Sequence, residues 1–295
     1  MQKQLQTLMA ILFVAALVGA AVIGSAPATA QDKAGEWKQL FNGKDLAGWD
    51  TWLGRPHKSV EGLDLKKNDK GEYAESVGLN KDPKKVYTVV SVDGKPAIRI
   101  SGEIFGALTS KDEFENYHLK LEFKWGEKKW PPREKAVRDS GLLYHCIGPH
   151  GAAGTYWMQS LECQIQEHDC GDFYSVGGAP TVDVEGVRKD EKGPVFYKKG
   201  APKLTNVKSR IVRDVDHEKP VGEWNTIEVL AVGDTCVHVV NGKPNMVLTN
   251  PRGRLDGKEV PLTRGKIQLQ SEGAEVFYRN IAIRPLKKIP DEYLK

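Results

Sequence analysis

The chain has 295 residues, with 43 Lys and Arg against 39 Asp and Glu, for a net charge of +4. The two signs interleave, as in Lys189-Asp190-Glu191-Lys192, so no basic block marks a nucleic-acid groove. Beyond an amino-terminal apolar run, no stretch is apolar enough to suggest a membrane span.

Residues 1–30 read as an export signal. Lys3 precedes an apolar run over residues 8–23, and Ser25-Ala26-Pro27-Ala28-Thr29-Ala30 ends in an A-x-A cleavage pattern before Gln31. The run falls short of the roughly 20 residues of a membrane helix, so the expected mature protein is residues 31–295, one domain, periplasmic or secreted. Four cysteines, Cys146, Cys163, Cys170 and Cys236, would then meet an oxidising compartment. One bridge among the first three and a set of buried free thiols both fit, because cysteine packs well as a small core residue.

Helical periodicity is nearly absent after residue 31, and strand signals recur. Residues 88–92 and 97–101 flank Asp93-Gly94, a two-residue hairpin signal. Over residues 118–125, Leu119, Leu121, Phe123 and Trp125 alternate with His118, Lys120, Glu122 and Lys124, the period-two pattern of a half-buried strand. Residues 226–232 and 236–240 pair around Gly233-Asp234, Asn241-Gly242 turns the chain again, and residues 266–270 and 275–283 close the domain. Residues 55–85 form a polar insertion. Residues 181–220, rich in Lys, Asp, Gly and Pro, read as a long excursion of the kind that is uncommon without a function. Many short strands without crossover helices predict an antiparallel sandwich or barrel, with no internal repeat.

Six segments in order resemble the 3-keto-disaccharide hydrolase domain family. They are the W-x-x-L-F-N-G-K-D-L-A-G-W opening at residues 37–49, residues 116–125, Asp139-Ser140-Gly141 before Leu142-Leu143-Tyr144, Glu162-Cys163-Gln164-Ile165, Gly222-Glu223-Trp224-Asn225, and residues 265–285 with Leu269-Gln270 and Tyr278-Arg279-Asn280-Ile281. The resemblance implies an all-β, concanavalin A-like jelly-roll sandwich of two antiparallel sheets. It also implies activity on a small carbohydrate, a glycoside whose C3 hydroxyl has been oxidised to a ketone, with hydrolysis and elimination followed by hydration both in play. His145 stands where many members carry Arg, and Glu167 where many carry Asp.

Strand parity points to the same residues independently. With Leu161, Cys163 and Ile165 packed inward, Glu162, Gln164 and Gln166 share the opposite face. Taking Leu142, Tyr144 and Cys146 as core puts Leu143 and His145 outward. Ile267 and Leu269 leave Gln268 and Gln270 outward, with Glu272 just beyond. If these strands are neighbours, their polar faces make one surface of amides and carboxylates suited to hydroxyl groups. Tyr156 and Trp157 could then cover the sugar faces.

The plain alternative is the solvated side of a sheet, or a non-catalytic, lectin-like sugar-binding module. A retaining glucanase wants two carboxylates about 5.5 Å apart, which on one strand face means Glu-x-x-x-Glu; here the i+4 partner of Glu162 is Gln166. A 3-keto sugar needs less: one base to take the acidified C2 proton and a group to steady the enolate oxygen. Glu162 or His145 is the expected base, with Gln164 and a neighbouring cation at the oxyanion. The cation could be a divalent metal, for which His168 and Asp169, in the ligand-dense run 167–172, are the candidate ligands.

Overall fold

The computed structural model describes residues 35–178 and 180–295, so the export-signal reading of residues 1–30 lies outside the described residues. The described chain is strand-rich, with one short 3-10 helix at Asp291–Tyr293. None of its helices is long and apolar enough to cross a membrane.

Two antiparallel layers face each other in a jelly-roll-like sandwich. One runs in the order Trp49–Leu53, Gly106–Ser110, Arg264–Ser271, Asp139–Ile147, Gln159–Gln166 and Phe173–Val176. The other runs Tyr87–Val92, Lys95–Ile100, Ala274–Pro285, Tyr117–Lys129, Asn225–Val232, Thr235–Val240 and Lys243–Leu255. Thr181–Arg188 borders both, pairing with Lys243–Leu255 in its first half and with Val195–Tyr197 at its end.

The inward stripes follow from alternation. Leu119, Leu121 and Phe123 of the long Tyr117–Lys129 strand meet Leu142, Leu161, Cys163, Ile267 and Leu269 of the facing layer in one continuous core. Each such side chain contributes about 1.5–3 kcal/mol by leaving water, so a one-residue slip in any strand would be very costly. The hairpin signals land where the chain turns. Asp93-Gly94 and Asn241-Gly242 have positive φ at both residues, as a type I′ turn requires.

One expectation is corrected here, and one open choice, between a bridge and buried free thiols, is decided. Residues 181–220 are no structureless excursion, because Thr181–Arg188, Val195–Tyr197, Lys203–Val207 and Ile211–Val212 all pair into sheet. No disulfide links Cys146, Cys163 and Cys170; all four cysteines are free thiols and buried. The polar insertion at residues 55–85 folds back on itself, with buried Tyr73 donating a 2.6 Å hydrogen bond to the carbonyl of Val60.

Candidate active site

The outer face of the first layer is built from three adjacent strands whose register decides what meets what. On Asp139–Ile147, the residues Asp139, Gly141 and Leu143 lie opposite Gln166, Gln164 and Glu162 of Gln159–Gln166. On the other flank, Gln268 lies opposite Leu143 and Leu269 opposite Leu142, which brings Gln270 beside Gly141. Carboxylates and amides from three strands therefore share one patch. They line a cleft of about 420 Å³, with Arg133, Trp157, Tyr174 and Glu272 among its walls. That volume suits a small ligand.

Gly141 explains how the centre of this patch can be polar and still close-packed. A Cβ there would collide with both Glu162 Oε1 and Gln270 Oε1. The missing side chain leaves a hollow in the sheet surface, and Glu162 and Gln270 lean over it. The backbone at Gly141 does not require glycine, since its φ is not positive; the space above it does.

The electrostatics are unusual for a sheet surface. Glu162 is 5% exposed, and its carboxyl is pushed well above the ordinary carboxylate range, first by burial and then by Asp139, with the facing Gln270 amide opposing. Burial raises Asp139 to about 6, against Arg133, Gln166 and the Ser140 backbone. Arg133 Nη2 lies 2.5 Å from Asp139 Oδ2, and Gln166 Nε2 donates to that same oxygen at 2.5 Å. Glu272 is driven well up by burial and by the nearby Asp139 and Glu162, with Arg133 again opposing. Asp139 Oδ1, Arg133 Nε and Gln270 Oε1 are buried without a partner. Three carboxyls with raised proton affinity, two of them facing one guanidinium, mark this cleft as a candidate for proton-transfer chemistry.

The aromatic wall is held rigidly. Trp157 Nε1 donates a 2.9 Å hydrogen bond to the Gly106 carbonyl, and the indole stacks on Phe105 with centroids 6.4 Å apart. Tyr174, directly opposite Glu162 on the neighbouring strand, makes the other wall.

Several expected site residues lie elsewhere. His145 is not in the cleft: it is fully buried against the rings of Tyr117 and Tyr144, and neither ring nitrogen makes a hydrogen bond. The cause is a bulge. His145 has φ of 50°, and the register with both neighbouring strands shifts here, between Gln159 and Leu161 on one side and between Lys266 and Gln268 on the other. One extra residue reverses parity, sending Cys146 outward beside Leu143 and Met158 and His145 inward. Burial then lowers the imidazole to about 4, so it stays neutral.

Gln268 has the expected parity but is covered. Its Oε1 accepts from the Met158 backbone at 3.0 Å and its Nε2 donates to Thr109 at 2.9 Å, which anchors the loop carrying Trp157. Tyr156 packs edge-on against Phe105, behind Trp157 rather than in the cleft.

The metal expectation also fails on its donors. Asp169 Oδ1 lies 2.5 Å from Arg210 Nη2, and Asp172 is held by Arg210 at 2.6 Å and Arg213 at 2.9 Å, so guanidinium groups already neutralise these carboxylates. Glu167 is turned away from the cleft onto Arg138 at 2.8 Å, while His168 lines a separate hollow with Glu218. Among the described residues, no group of three or more His, Cys, Asp or Glu is placed to hold a metal ion.

Sequence reasoning missed Arg133, Tyr174 and the central part of Asp139. Asp139 and Tyr174 have readable strand parity. Arg133 sits in an irregular segment, where alternation carries no information.

With this geometry in place, comparison with known proteins decides the family: residues 36–284 match the 3-keto-alpha-glucoside-1,2-lyase-like domain. The chain belongs to that family. It is thus a carbohydrate-active domain. No curated protein matches it. Among solved structures, it is similar to a candidate glycosyl hydrolase from Parabacteroides distasonis, at 20% identity over 85% of this chain and 100% of that one, with a TM-score of 0.46. It is also similar to the carbohydrate-binding module CBM66 from Bacillus subtilis, at 10% identity over 67% of this chain and 91% of that one, TM-score 0.38. The Bacillus licheniformis beta-glucanase is similar at 11% identity over 86% of this chain and 99% of that one, TM-score 0.38.

Proposed function

We propose that this protein cleaves the C1–O bond of 3-keto-glycosides by elimination, Glu162 taking the C2 proton. A ketone at C3 makes that hydrogen acidic, and the glycosidic oxygen on C1 is β to the ketone. One positioned base therefore opens a route that an ordinary glycoside lacks. The observation that carries this reading is the convergence of Glu162 with Gln164, Gln270 and Arg133 in one cleft beside Trp157. A carboxyl held above its ordinary range by burial is a stronger base once ionised than a solvated one. Arg133 and the two amides provide donors for the negative charge that gathers on O3 as the proton leaves, in the role first expected of Gln164 and a cation. Trp157 offers a flat apolar face to the ring. Water adds to the unsaturated product afterwards, which makes the net change a hydrolysis. Since residues 1–30 read as an export signal, the reaction would take place in the periplasm or outside the cell.

The direct test is turnover of a 3-keto-glucoside with a chromogenic leaving group by the wild type and by Glu162→Gln. The substitution keeps the shape and removes the base, so kcat/KM should fall by about 10³-fold or more, roughly 4 kcal/mol of transition-state stabilisation. Unchanged turnover in the variant would remove Glu162 from the mechanism. Tight binding with no turnover by the wild type would make the cleft a lectin site instead.

A further inference from the structure

Elimination leaves a second proton to be placed: the departing oxygen must be protonated unless it is a very stable anion. We infer that Glu272 supplies that proton, which makes it the general acid of the cleft rather than a substrate-binding residue alone. This rests on the elimination reading above.

The argument begins with where the carboxyls stand. Glu162 rises from the strand Gln159–Gln166, on one flank of Asp139–Ile147, and Glu272 follows the end of Arg264–Ser271, on the other flank. Their backbones are thus two strand spacings apart, on the order of 10 Å or more, with the hollow at Gly141 between them. A sugar ring resting in the cleft above Gly141 can present C2 to one carboxyl and O1 to the other.

The partners of each carboxyl then separate their roles. Asp139 is the one Arg133 grips, at 2.5 Å, and Gln166 donates to the same oxygen, so its charge is compensated. Glu272 has only the far nitrogen of that guanidinium, at 4.0 Å. With its side chain 15% exposed, and facing Asp139 and Glu162 across the cleft, Glu272 has more reason than Asp139 to keep its proton once Glu162 is the base. That is what an acid needs when its neighbour acts as a base.

The step balances. Glu162 takes the C2 hydrogen as a proton, and its bonding pair forms the enolate across C2 and C3. The enolate collapses to restore the C3 carbonyl and form the C1=C2 bond, while the C1–O pair leaves on the glycosidic oxygen. That oxygen takes the proton of Glu272. The products are a free alcohol and a 1,2-unsaturated 3-ketone; nothing is oxidised or reduced, and proton exchange with water returns Glu162 and Glu272 to their starting states.

Leaving-group dependence tests this. Glu272→Gln and Glu162→Gln are each compared with the wild type on two 3-keto-glucosides, one carrying 4-nitrophenol and the other a methyl aglycone. Nitrophenoxide departs without help, so Glu272→Gln should lose far less on it than on the methyl glycoside, and an unchanged circular dichroism spectrum shows that the variant is folded. On the methyl glycoside, the same variant should lose about 10²–10⁴-fold in kcat/KM. Glu162→Gln should lose heavily on both. Equal losses by Glu272→Gln on the two substrates, or no loss on either, would overturn the acid role while leaving Glu162 as base. A wild type that cleaves neither compound would overturn the elimination reading itself, and the acid role with it.

Discussion

Two groups of largely buried carboxylates in this chain are treated in opposite ways. At the turn after Gln159–Gln166, Asp169 and Asp172 face Arg210 and Arg213. Asp172, fully buried, receives Arg210 Nε at 2.8 Å, Arg213 Nη1 at 2.9 Å and the Arg213 backbone at 3.0 Å. In the cleft, Asp139 and Glu272 share one guanidinium, Arg133, Glu162 makes no ion pair among the described residues, and three polar atoms go without partners. The first group matches charge with charge and holds the Ile211 segment against the sheet. The second leaves acids under-compensated in a hollow that a ligand can enter. Buried charge is costly unless paired, so an unpaired cluster that persists is a candidate for chemistry, and a paired one is a brace. Ligand-dense sequence does not distinguish the two: the run 167–172 offered candidate metal ligands, and it is the brace.

Breaking one partner on each side should sharpen that contrast most. Asp172→Ala removes the fully buried partner of Arg210 and Arg213, leaving them only the more exposed Asp169 and Asp216, and should destabilise the fold by about 3 kcal/mol, read as a lower denaturant midpoint. Glu162→Gln should do the reverse at neutral pH and raise the melting temperature by roughly 2–4 °C, the scale of about 1 kcal/mol in a domain of this size. The sign follows from linkage. The Glu162 carboxyl holds its proton more tightly folded than unfolded, so its contribution to stability is complete below the ordinary value of 4.5 and is lost as pH rises through its higher folded value. The gain from the glutamine should therefore grow as pH is raised. Equal and opposite behaviour, with Glu162→Gln strongly destabilising, would mean that the cleft is a brace too.

Gly141→Ala is a smaller and more local break. The added methyl must push Glu162 and Gln270 off the hollow, while the backbone tolerates it. It should lower kcat/KM about 10–100-fold, some 1.4–2.8 kcal/mol, with the loss mostly in kcat. In a Glu162→Ala background the same methyl should cost less, because only Gln270 is left for it to displace. An equal loss in both backgrounds would place the effect elsewhere.

The fold was largely readable from alternation and turn chemistry. Leu119, Leu121 and Phe123 face the core as their period requires, and Asp93-Gly94 and Asn241-Gly242 turn where two positive φ angles are needed. Glu162, Gln164 and Gln166 share a face for the same reason. Reading failed where the period breaks. The bulge at His145 inserts a residue, and no composition signal marks it, so parity carried through Leu143 put the imidazole on the wrong side. His118 shows another limit. It lies on the polar side of its strand, yet it is 2% exposed, paired with Glu228 at 2.7 Å, and packed beside Trp37 and Tyr293 from the chain ends. Which distant segments cover a face cannot be read from that face alone.

The measurement that tests the central claim most directly follows the hydrogen on C2. A 3-keto-glucoside deuterated at C2 is turned over by the wild type in ordinary water, and the sugar product is examined by mass spectrometry against an enzyme-free control for spontaneous exchange. Proton abstraction by Glu162 predicts that the label is lost in every turnover, whether or not water adds afterwards. Product that keeps its deuterium while the bond to the aglycone is cut would contradict elimination and point to direct displacement at C1.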